Sequence, residues 1–393
     1  MRLCNTDLQI NCFTFSHLYV VVQLVWIAAF LVSTKFEHFR CQPPGEISYC
    51  CFGAPVLCTG ALFCTLFLHP FFGKIALLYL ISGISEVYKM KTIQLTPSCK
   101  DYLWGGEKLR TEYGIQSELH PLSEAWMLSC HPDGPSYLPD GSTFQQYINA
   151  HPGCLGTHCE KFSEFPVLAK LIDAKKDLSI QVHPSNEYAL EHEHQYGKTE
   201  MWYVLEAEPG ASLYYGFTHE ISKEEFERRI QDNTLTDVLN AVPVHKGDCF
   251  FIPSGTLHAI RKGIVVAEIQ QNSNVTYRIY DYGRLGADGK PRQLHIPQAL
   301  DVTLREPPKA QDFHGHLAQC DYFTVDAVEG GFEDVCDETS FTSLLVLEGK
   351  GTLTETATGE SLPIRKGQSL FLPAGTGAYA VTGTDLKCLR TRV

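Results

Sequence analysis

Residues 247–258 read Gly247-Asp-Cys-Phe-Phe-Ile-Pro-Ser-Gly-Thr-Leu-His258, and the architecture predicted for the whole chain starts from this segment. The opening glycine turns the chain into an apolar strand, residues 249–252, which Pro253 and Gly255 then interrupt. Side chains alternate between the two faces of a strand. His258 is therefore expected to open the next strand with its imidazole at the mouth of a β-barrel.

A second segment, Ser179-Ile-Gln-Val-His-Pro184, supplies partners for this histidine. In an extended strand Gln181 and His183 point to the same side, so both can bind one ion. Glu200, which ends Gly197-Lys-Thr-Glu200, and His258 would complete the set of ligands. Two imidazoles, one carboxylate and one amide oxygen suit a single zinc ion or another divalent first-row metal.

The nearby histidines His192 and His194 offer an alternative metal site together with Glu200. The stretch 185–195 is highly charged and lacks the alternation of a strand, so it is better interpreted as a short surface helix. A barrel whose polar residues bind no metal is the third interpretation.

The chain of 393 residues changes character near Met90. Residues 1–89 hold seven of the fifteen cysteines and two apolar runs, 18–32 and 52–84. The first run is shorter than the roughly 20 residues that a spanning helix needs, and no signal-peptide pattern fits. This extension is interpreted as upstream sequence before a working start at Met90, with a membrane anchor and a targeting segment as alternatives.

The rest of the composition predicts a soluble cytoplasmic protein. The eight later cysteines show no paired spacing, as expected for free thiols in a reducing compartment. A net charge of −13 argues against nucleic acid as a partner and requires a local basic cluster for any anionic substrate. Membrane contact is expected only if the extension is an anchor, and the sequence leaves the oligomeric state open.

The barrel segment is repeated further along the chain. Residues 244–256 recur as residues 364–376, and both copies carry Lys-Gly followed by Pro-x-Gly-Thr. Ala378 stands where the first copy has His258, and Thr342 takes the place of Glu200, so the second copy is predicted to hold no metal.

The spacing of Gly247, Pro253, Gly255 and His258 resembles the second cupin motif. The fold is therefore predicted to be mainly β, with two cupin-type jelly-roll barrels, helical insertions and the apolar N-terminal extension. Residues 90–310 are expected to form the catalytic barrel and residues 311–393 a degenerate second barrel. Helical insertions at 222–239 and within 115–172 either cover the barrel mouth or pack on its outside.

From Met90 onward the chain resembles the type I phosphomannose isomerases, in their short bacterial form. The resemblance rests on five segments: Tyr102-Leu-Trp-Gly-Gly106, Gln181-Val-His-Pro184, Gly197-Lys-Thr-Glu-Met-Trp-Tyr203, Pro253-Ser-Gly-Thr-Leu-His-Ala259, and residues 272–282 with Arg278. It implies zinc-dependent interconversion of mannose 6-phosphate and fructose 6-phosphate. The implied zinc ligands are Gln181, His183, Glu200 and His258, and the implied pocket residues are Arg278, Lys198, Glu268, Ser179 and Trp104.

The chemistry of these residues fits a reaction that moves a proton between C1 and C2 of a sugar. Lys198 and Glu268 are the candidate proton carriers, and a neighbouring cation is expected to lower the pKa of Lys198. The alternatives are a surface ion pair for Lys198 and an internal hydrogen bond for Glu268.

Arg278 and Arg284 follow the predicted strand 264–271 and are candidates to bind the phosphate. The alternatives are an ion pair between Arg278 and Asp281, and an exposed position for Arg284. Trp104 is a candidate substrate contact or a packing residue.

Two other functions remain open from the sequence. Two histidines and one carboxylate also form the iron site of oxygenases, so a cupin dioxygenase is one alternative. A sugar-phosphate-binding cupin without turnover is the other. Gln181 and the cationic residues Lys198, Arg278 and Arg284 favour the isomerase.

Overall fold

The computed structural model describes residues 90–286 and 289–393, so the interpretations of residues 1–89 lie outside the described residues. The described part is built mainly from strands, which confirms the predicted fold class. The strands are β1 (Ile93–Leu95), β2 (Ser98–Lys100), β3 (Glu124–Leu128), β4 (Val167–Ala174), β5 (Ile180–Val182), β6 (Glu200–Ala207), β7 (Ser212–Phe217), β8 (Leu239–Pro243), β9 (Cys249–Ile252), β10 (His258–Ala259), β11 (Ile264–Gln271), β12 (Tyr277–Tyr280), β13 (Ala318–Gln319), β14 (Thr324–Glu329), β15 (Phe332–Cys336), β16 (Thr342–Glu355), β17 (Ser361–Arg365), β18 (Ser369–Leu372) and β19 (Gly377–Arg392).

Short helices interrupt the strands. They are α1 (Lys108–Thr111), α2 (Phe144–Ala150), α3 (Asn186–His192), α4 (Lys223–Gln231) and α5 (Ile296–Val302), together with 3-10 turns at Thr157–Cys159 and Leu235–Val238. None of the described helices is long and apolar enough to cross a bilayer.

The strands form three antiparallel sheets. One has the order β2-β3-β4-β11-β6-β9 and a second the order β12-β5-β10-β7-β8. The third has the order β1-β18-β16-β19-β14-β13, with β15 added on β19 and β17 on β16. The first strand of the described chain, β1, therefore belongs to the sheet that residues 318–392 form.

Strand β11 shows how alternation places polar groups inside the first barrel. All eight of its residues are buried because it lies between β4 and β6. Val265, Ala267 and Ile269 join an apolar core that also contains residues of the third sheet. Ile264 and Val266 face the other way, into a cluster shared with the second sheet. Glu268, two residues further on, must follow Val266 into the space between the first two sheets.

The predicted helical insertions are confirmed and lie on the outside of the barrel. Ser222 caps α4 by accepting a hydrogen bond from Glu225 N–H at 3.1 Å. Phe226 on this helix is fully buried against the outer face of the second sheet, 5.6 Å from the ring of Phe217. Thr143 and Gln146 form a capping box on α2, whose Phe144 enters the other core. These helices stabilise the barrel by packing and contribute no residue to the pocket described below.

The repeat positions of the third sheet lie on its two longest strands. Thr342 opens β16, is fully buried and accepts a hydrogen bond from Arg392 Nε at 3.0 Å. Ala378 lies on β19 opposite Val335 of β15. The absence of a metal from this half stays a prediction. The eight described cysteines are all free thiols, as expected.

Candidate functional site

His183, Glu200 and His258 converge on one point between the first two sheets. Their ligand atoms all lie within 4.8 Å of one another, and all three residues are buried. Glu200 Oε2 is 3.7 Å from His183 Nε2, and Glu200 Oε1 is 3.3 Å from His258 Nε2. Within residues 90–286 and 289–393 this is the one group of three such side chains with metal-binding geometry.

Both imidazoles are oriented by backbone carbonyls. His183 Nδ1 donates to Val275 O and His258 Nδ1 donates to Thr256 O, each at 2.8 Å. A carbonyl only accepts, so Nδ1 carries the proton and Nε2 keeps its lone pair. Burial lowers the pKa of both imidazoles, and the charge of Lys198 lowers it further. Both histidines are therefore neutral, as metal ligands must be.

The carboxylate of Glu200 supports a metal at this point. The side chain is fully buried, and Lys198 Nζ lies 2.6 Å from Oε2 in an ion pair, while Oε1 has no hydrogen-bond partner among the described residues. A buried carboxylate oxygen without a hydrogen bond is costly, and a bound cation would remove that cost. Burial also raises the pKa of Glu200, and the carboxylate of Glu268 raises it further.

Gln181 lies beside these three residues and is the candidate fourth metal ligand. Its Nε2 lies 3.4 Å from His258 Nε2, and its Oε1 accepts a hydrogen bond from Ser179 Oγ at 3.4 Å. Amide oxygen and nitrogen are isosteric, so a half-turn of the amide places Oε1 beside the histidine lone pair. The donor set then fits a divalent ion such as zinc.

Strand register explains why these residues meet. Gln181 on β5 is the direct partner of His258 on β10 and of Arg278 on β12. The three side chains therefore lie in one row across neighbouring strands. Opposite this row, Glu268 on β11 is flanked by Lys170 on β4 and Trp202 on β6.

Lys198 and Glu268 are both brought into the site. Lys198 Nζ lies 3.3 Å from His183 Nε2 and 3.4 Å from Glu268 Oε1, which excludes a surface ion pair. Burial lowers the pKa of Lys198, but Glu200 and Glu268 raise it by more, so the net direction is upward. The sequence analysis expects a neighbouring metal ion to lower the pKa of Lys198. The carboxylates of Glu200 and Glu268 act in the opposite direction.

Glu268 is the ionised centre of a buried network. Its Oε2 accepts a hydrogen bond from Trp202 Nε1 at 2.9 Å, and its Oε1 lies 3.5 Å from Lys170 Nζ. Burial raises its pKa, but Lys198 and Lys170 lower it by more, so the net direction is downward. The alternative of an internal hydrogen bond is thus partly correct, because Glu268 is hydrogen-bonded and also lines the cavity described next.

A cavity of about 250 Å³ lies next to the point where His183, Glu200 and His258 converge. Six predicted residues line it: Trp104, Ser179, Gln181, Lys198, Glu268 and Arg278. The rest of the lining was not predicted from the sequence as site residues, and it consists of Tyr102, Glu124, Lys170, Ile172, Leu178, Trp202, Ile260, Asn274, Thr276, Arg292 and His295. His183, Glu200 and His258 are more deeply buried beneath this lining.

Arg278 faces the cavity rather than Asp281. Its Nε donates to Ser179 Oγ at 3.3 Å and its Nη1 donates to Gln293 O at 3.1 Å. The carboxylate of Asp281 is instead occupied by Arg292, whose Nε donates to Oδ2 at 2.6 Å, and by Arg284.

Arg284 does not line the cavity. Its guanidinium contacts Asp281 and the carbonyl of Asp177, and it lies 5.2 Å from the ring centre of Tyr282. Arg292 is the second arginine of the lining. Sequence reasoning missed it because it follows the predicted strands in a loop without periodicity.

Lys170 is the missed residue for which the sequence did carry a signal. It lies in β4, whose eight residues are all buried and, apart from this lysine and Asp173, apolar. Its Nζ lies 3.8 Å from Glu124 Oε2 and 4.6 Å from the ring centre of Trp126. A lysine in the middle of a buried strand requires such partners.

The remaining candidates separate clearly. Trp104 is buried and stacks on Tyr102 with ring centres 5.6 Å apart, so it both packs and lines the cavity. His192 stacks on Tyr188 at the exposed face of α3, and His194 is also exposed, so the alternative metal site at His192 and His194 is wrong.

Comparisons with known proteins identify the relatives of this chain. A family model described as phosphomannose isomerase type I, catalytic domain, matches residues 92–210, and one described as mannose-6-phosphate isomerase, cupin domain, matches residues 314–393. A mannose-6-phosphate isomerase of Streptococcus mutans is 39% identical over 302 residues, which cover 73% of this chain and 93% of that protein. A mannose-6-phosphate isomerase of Bacillus subtilis is 34% identical over 304 residues, which cover 73% of this chain and 94% of that protein. The crystal structure of the mannose 6-phosphate isomerase from Bacillus subtilis is 34% identical with a TM-score of 0.71, covering 77% of this chain and 100% of that one.

Proposed function

The chain belongs to the type I phosphomannose isomerase family, and on that basis we propose that the cavity above His183, Glu200 and His258 interconverts mannose 6-phosphate and fructose 6-phosphate. The resemblance read from the sequence is thereby confirmed. The observation that carries the proposal is the convergence of the fully buried Glu200 carboxylate, whose Oε1 has no hydrogen bond, with two neutral imidazoles.

Gln181, His183, Glu200 and His258 are proposed to hold one zinc ion. With one anionic ligand among four, a divalent ion keeps net positive charge and supplies electrostatic stabilisation to oxygens at C1 and C2 of the sugar. The support for zinc is the donor set, in which two imidazoles, a carboxylate and an amide suit that metal.

Glu268 is proposed to carry the proton. Lys198 has a raised pKa and holds no lone pair when protonated, whereas Glu268 is an ionised carboxylate in the cavity lining. The carboxylate takes the proton from C2 of mannose 6-phosphate and returns it to C1, while the hydroxyl proton of O2 passes to O1, so that the C1 aldehyde becomes a hydroxymethyl group and C2 becomes the ketone. Lys198, which contacts both carboxylates, stabilises negative charge that develops on the neighbouring oxygen.

Arg278 and Arg292 are proposed to bind the phosphate, and Arg292 replaces Arg284 in that role. Neighbouring strands are about 4.8 Å apart, so the backbones of Arg278 and His258 are about 10 Å apart along the row in which Gln181 lies between them. That span accommodates a six-carbon sugar with its reacting end at the metal and its phosphate at the arginines. This basic group also resolves the mismatch between an anionic substrate and a net charge of −13. Ser179 orients Arg278 by accepting from its Nε.

Residues 90–310 are proposed as the catalytic unit and residues 311–393 as a second, metal-free barrel. The two family models support a division, because they match separate segments of the chain. Strand β1 qualifies the boundary, since it lies at the start of residues 90–310 but pairs with β18 of the third sheet.

A coupled assay tests the function directly. Mannose 6-phosphate is supplied and fructose 6-phosphate is detected with the protein as purified, after chelator treatment, and after zinc is added back. We expect turnover that disappears with the metal and returns with zinc. Oxygen uptake without isomerisation would identify the dioxygenase, and phosphosugar binding without turnover would identify the binding protein.

A further inference from the structure

His295 stands where a helix cap is expected, but it does not cap the helix. It directly precedes α5, a position at which Asn, Asp, Ser or Thr commonly accepts a hydrogen bond from the first turn. Its side chain makes no such bond, and its backbone at φ −117° and ψ 53° differs from the extended form usual there. A residue that departs from a local preference is expected at functional sites. The imidazole instead lines the cavity beside Arg278 and Arg292.

His295 holds both backbone polar groups of Arg278. The N–H of His295 donates to Arg278 O at 2.8 Å, and the N–H of Arg278 donates to His295 Nδ1 at 3.2 Å. Two residues earlier, Gln293 O accepts from Arg278 Nη1 at 3.1 Å. The segment 293–295 thus aligns the backbone and the guanidinium of the same arginine.

The contact with Arg278 N–H determines where the proton of His295 lies. A backbone N–H only donates, so Nδ1 is the accepting nitrogen and the neutral ring carries its proton on Nε2. Protonation of Nδ1 would place two donors against each other. Burial and the charge of Arg278 lower the pKa of His295, against a smaller opposite effect from Glu193.

The Nε2–H group has no hydrogen-bond partner among the described parts of the chain, while its neighbours do. The ring centre of Tyr277 is 6.1 Å from the imidazole, and its hydroxyl donates a hydrogen bond to Glu193 Oε1 at 2.8 Å. Arg292 is paired with Asp281. A phosphate dianion has three terminal oxygens, each with several lone pairs. Two guanidinium groups do not fill all of these acceptor positions, so the phosphate can accept a further hydrogen bond.

We propose that His295 is a substrate-binding residue that donates Nε2–H to a phosphate oxygen of the phosphosugar, while Nδ1 keeps Arg278 aligned for the same group. The identity of the sugar rests on the proposed function, but recognition of the phosphate is measurable without turnover. As a neutral donor, His295 selects for an acceptor oxygen without adding further charge to the two arginines.

Two substitutions separate the donor from the acceptor of the ring. His295→Gln places an amide N–H near the Nε2 position and loses the Nδ1 acceptor. His295→Asn places an amide oxygen near Nδ1 and loses the Nε2–H donor. The control is His192→Asn, at an exposed histidine of α3 outside the cavity. Affinity for inorganic phosphate is measured by calorimetry on the full chain, and KM for mannose 6-phosphate in the coupled assay.

For His295→Asn we expect phosphate affinity and KM to worsen about tenfold, the scale of a lost hydrogen bond to a charged group. For His295→Gln we expect phosphate affinity to fall by no more than about threefold, because the donor to phosphate is kept and Ser179 and Gln293 still hold the Arg278 guanidinium. For His192→Asn we expect no change. Equal losses in His295→Gln and His295→Asn would reveal a merely structural role and overturn the proposal, as would a normal affinity in His295→Asn.

The outcome is distinguishable from failure of the proposed function. An unmodified protein that isomerises the sugar phosphate but does not bind inorganic phosphate would overturn the role of His295 and leave the isomerase intact. An unmodified protein that binds phosphate without isomerising would refute the proposed function, while the comparison of the two His295 variants still tests the phosphate contact.

Discussion

Arg278 and Gln181 are direct partners on the antiparallel strands β12 and β5, so the guanidinium lies beside the amide proposed to contact the metal. Gln181 pairs in the same register with His258 on β10. One row of side chains thus carries both ends of the proposed substrate site. A shift of one residue in either strand would turn part of this row to the opposite face.

Replacement of His258 by alanine is expected to remove both metal and turnover. The imidazole is fully buried, and water cannot easily take its place in a closed donor set. Loss of a ligand should reduce metal affinity by more than the roughly 10–100-fold seen for outer contacts. Elemental analysis beside the coupled assay measures both effects, with His192→Ala as the control. Full metal content and activity in the variant would contradict the ligand assignment.

Replacement of Arg278 by alanine is expected to leave the metal bound and to reduce kcat/KM by about 10–100-fold, the range of a hydrogen bond to a charged group. Arg278→Lys should recover little, because a lysine lacks the planar pair of donors. The matched comparison is Arg284→Ala, which should have a smaller effect since Arg284 does not line the cavity. A larger loss in Arg284→Ala would restore Arg284 as the phosphate ligand.

Replacement of Lys170 by methionine is expected to lower the free energy of unfolding by about 3 kcal/mol. The change removes the cation between Glu268 and Glu124 and leaves those buried carboxylates with fewer partners. Denaturant titration measures the change, and Lys170→Arg is the charge-preserving control. A loss below about 1 kcal/mol would indicate that the lysine contributes little to folding.

Acidification is expected to destabilise the third sheet through Asp334. Burial raises the pKa of this carboxyl, but the N–H of Val335 and the guanidinium groups of Arg392 and Arg390 lower it by more. A carboxyl with a depressed folded pKa stabilises the protein above its unfolded value of about 3.9, and that contribution is lost as the pH falls toward the folded value.

Melting temperatures measured from pH 6 down to pH 3 test this assignment. Asp334→Asn should lower Tm at pH 6 and show a weaker further decline below about pH 4 than the unmodified protein. Parallel curves for the two proteins would exclude Asp334 as a source of the acid dependence.

Replacement of Ser222 by alanine is expected to cost about 1 kcal/mol of stability, the usual effect of losing a helix cap. KM and kcat should stay unchanged because α4 packs outside the barrel. Thermal melting and the coupled assay give the two measurements. If the variant is fully folded at the assay temperature and its KM still changes, then α4 covers the cavity.

Local pattern was enough to predict that His183 and His258 lie in one candidate metal site. Alternation in β5 put Gln181 and His183 on one side, and the Pro-x-Gly break before β10 turned His258 inward. The cap at Ser222 and the apolar spacing that follows it likewise predicted α4. These features depend on backbone geometry within a few residues, which the amino-acid order specifies directly.

The arginine end of the cavity could be identified only from the folded chain. Arg284 and Arg292 are eight residues apart with similar surroundings in the sequence, yet Asp281 binds both while only Arg292 lines the cavity. His295 entered the site for the same reason, through its contact with Arg278 on β12. Such contacts depend on the path of a loop and on which strands pair, and no short-range periodicity encodes either.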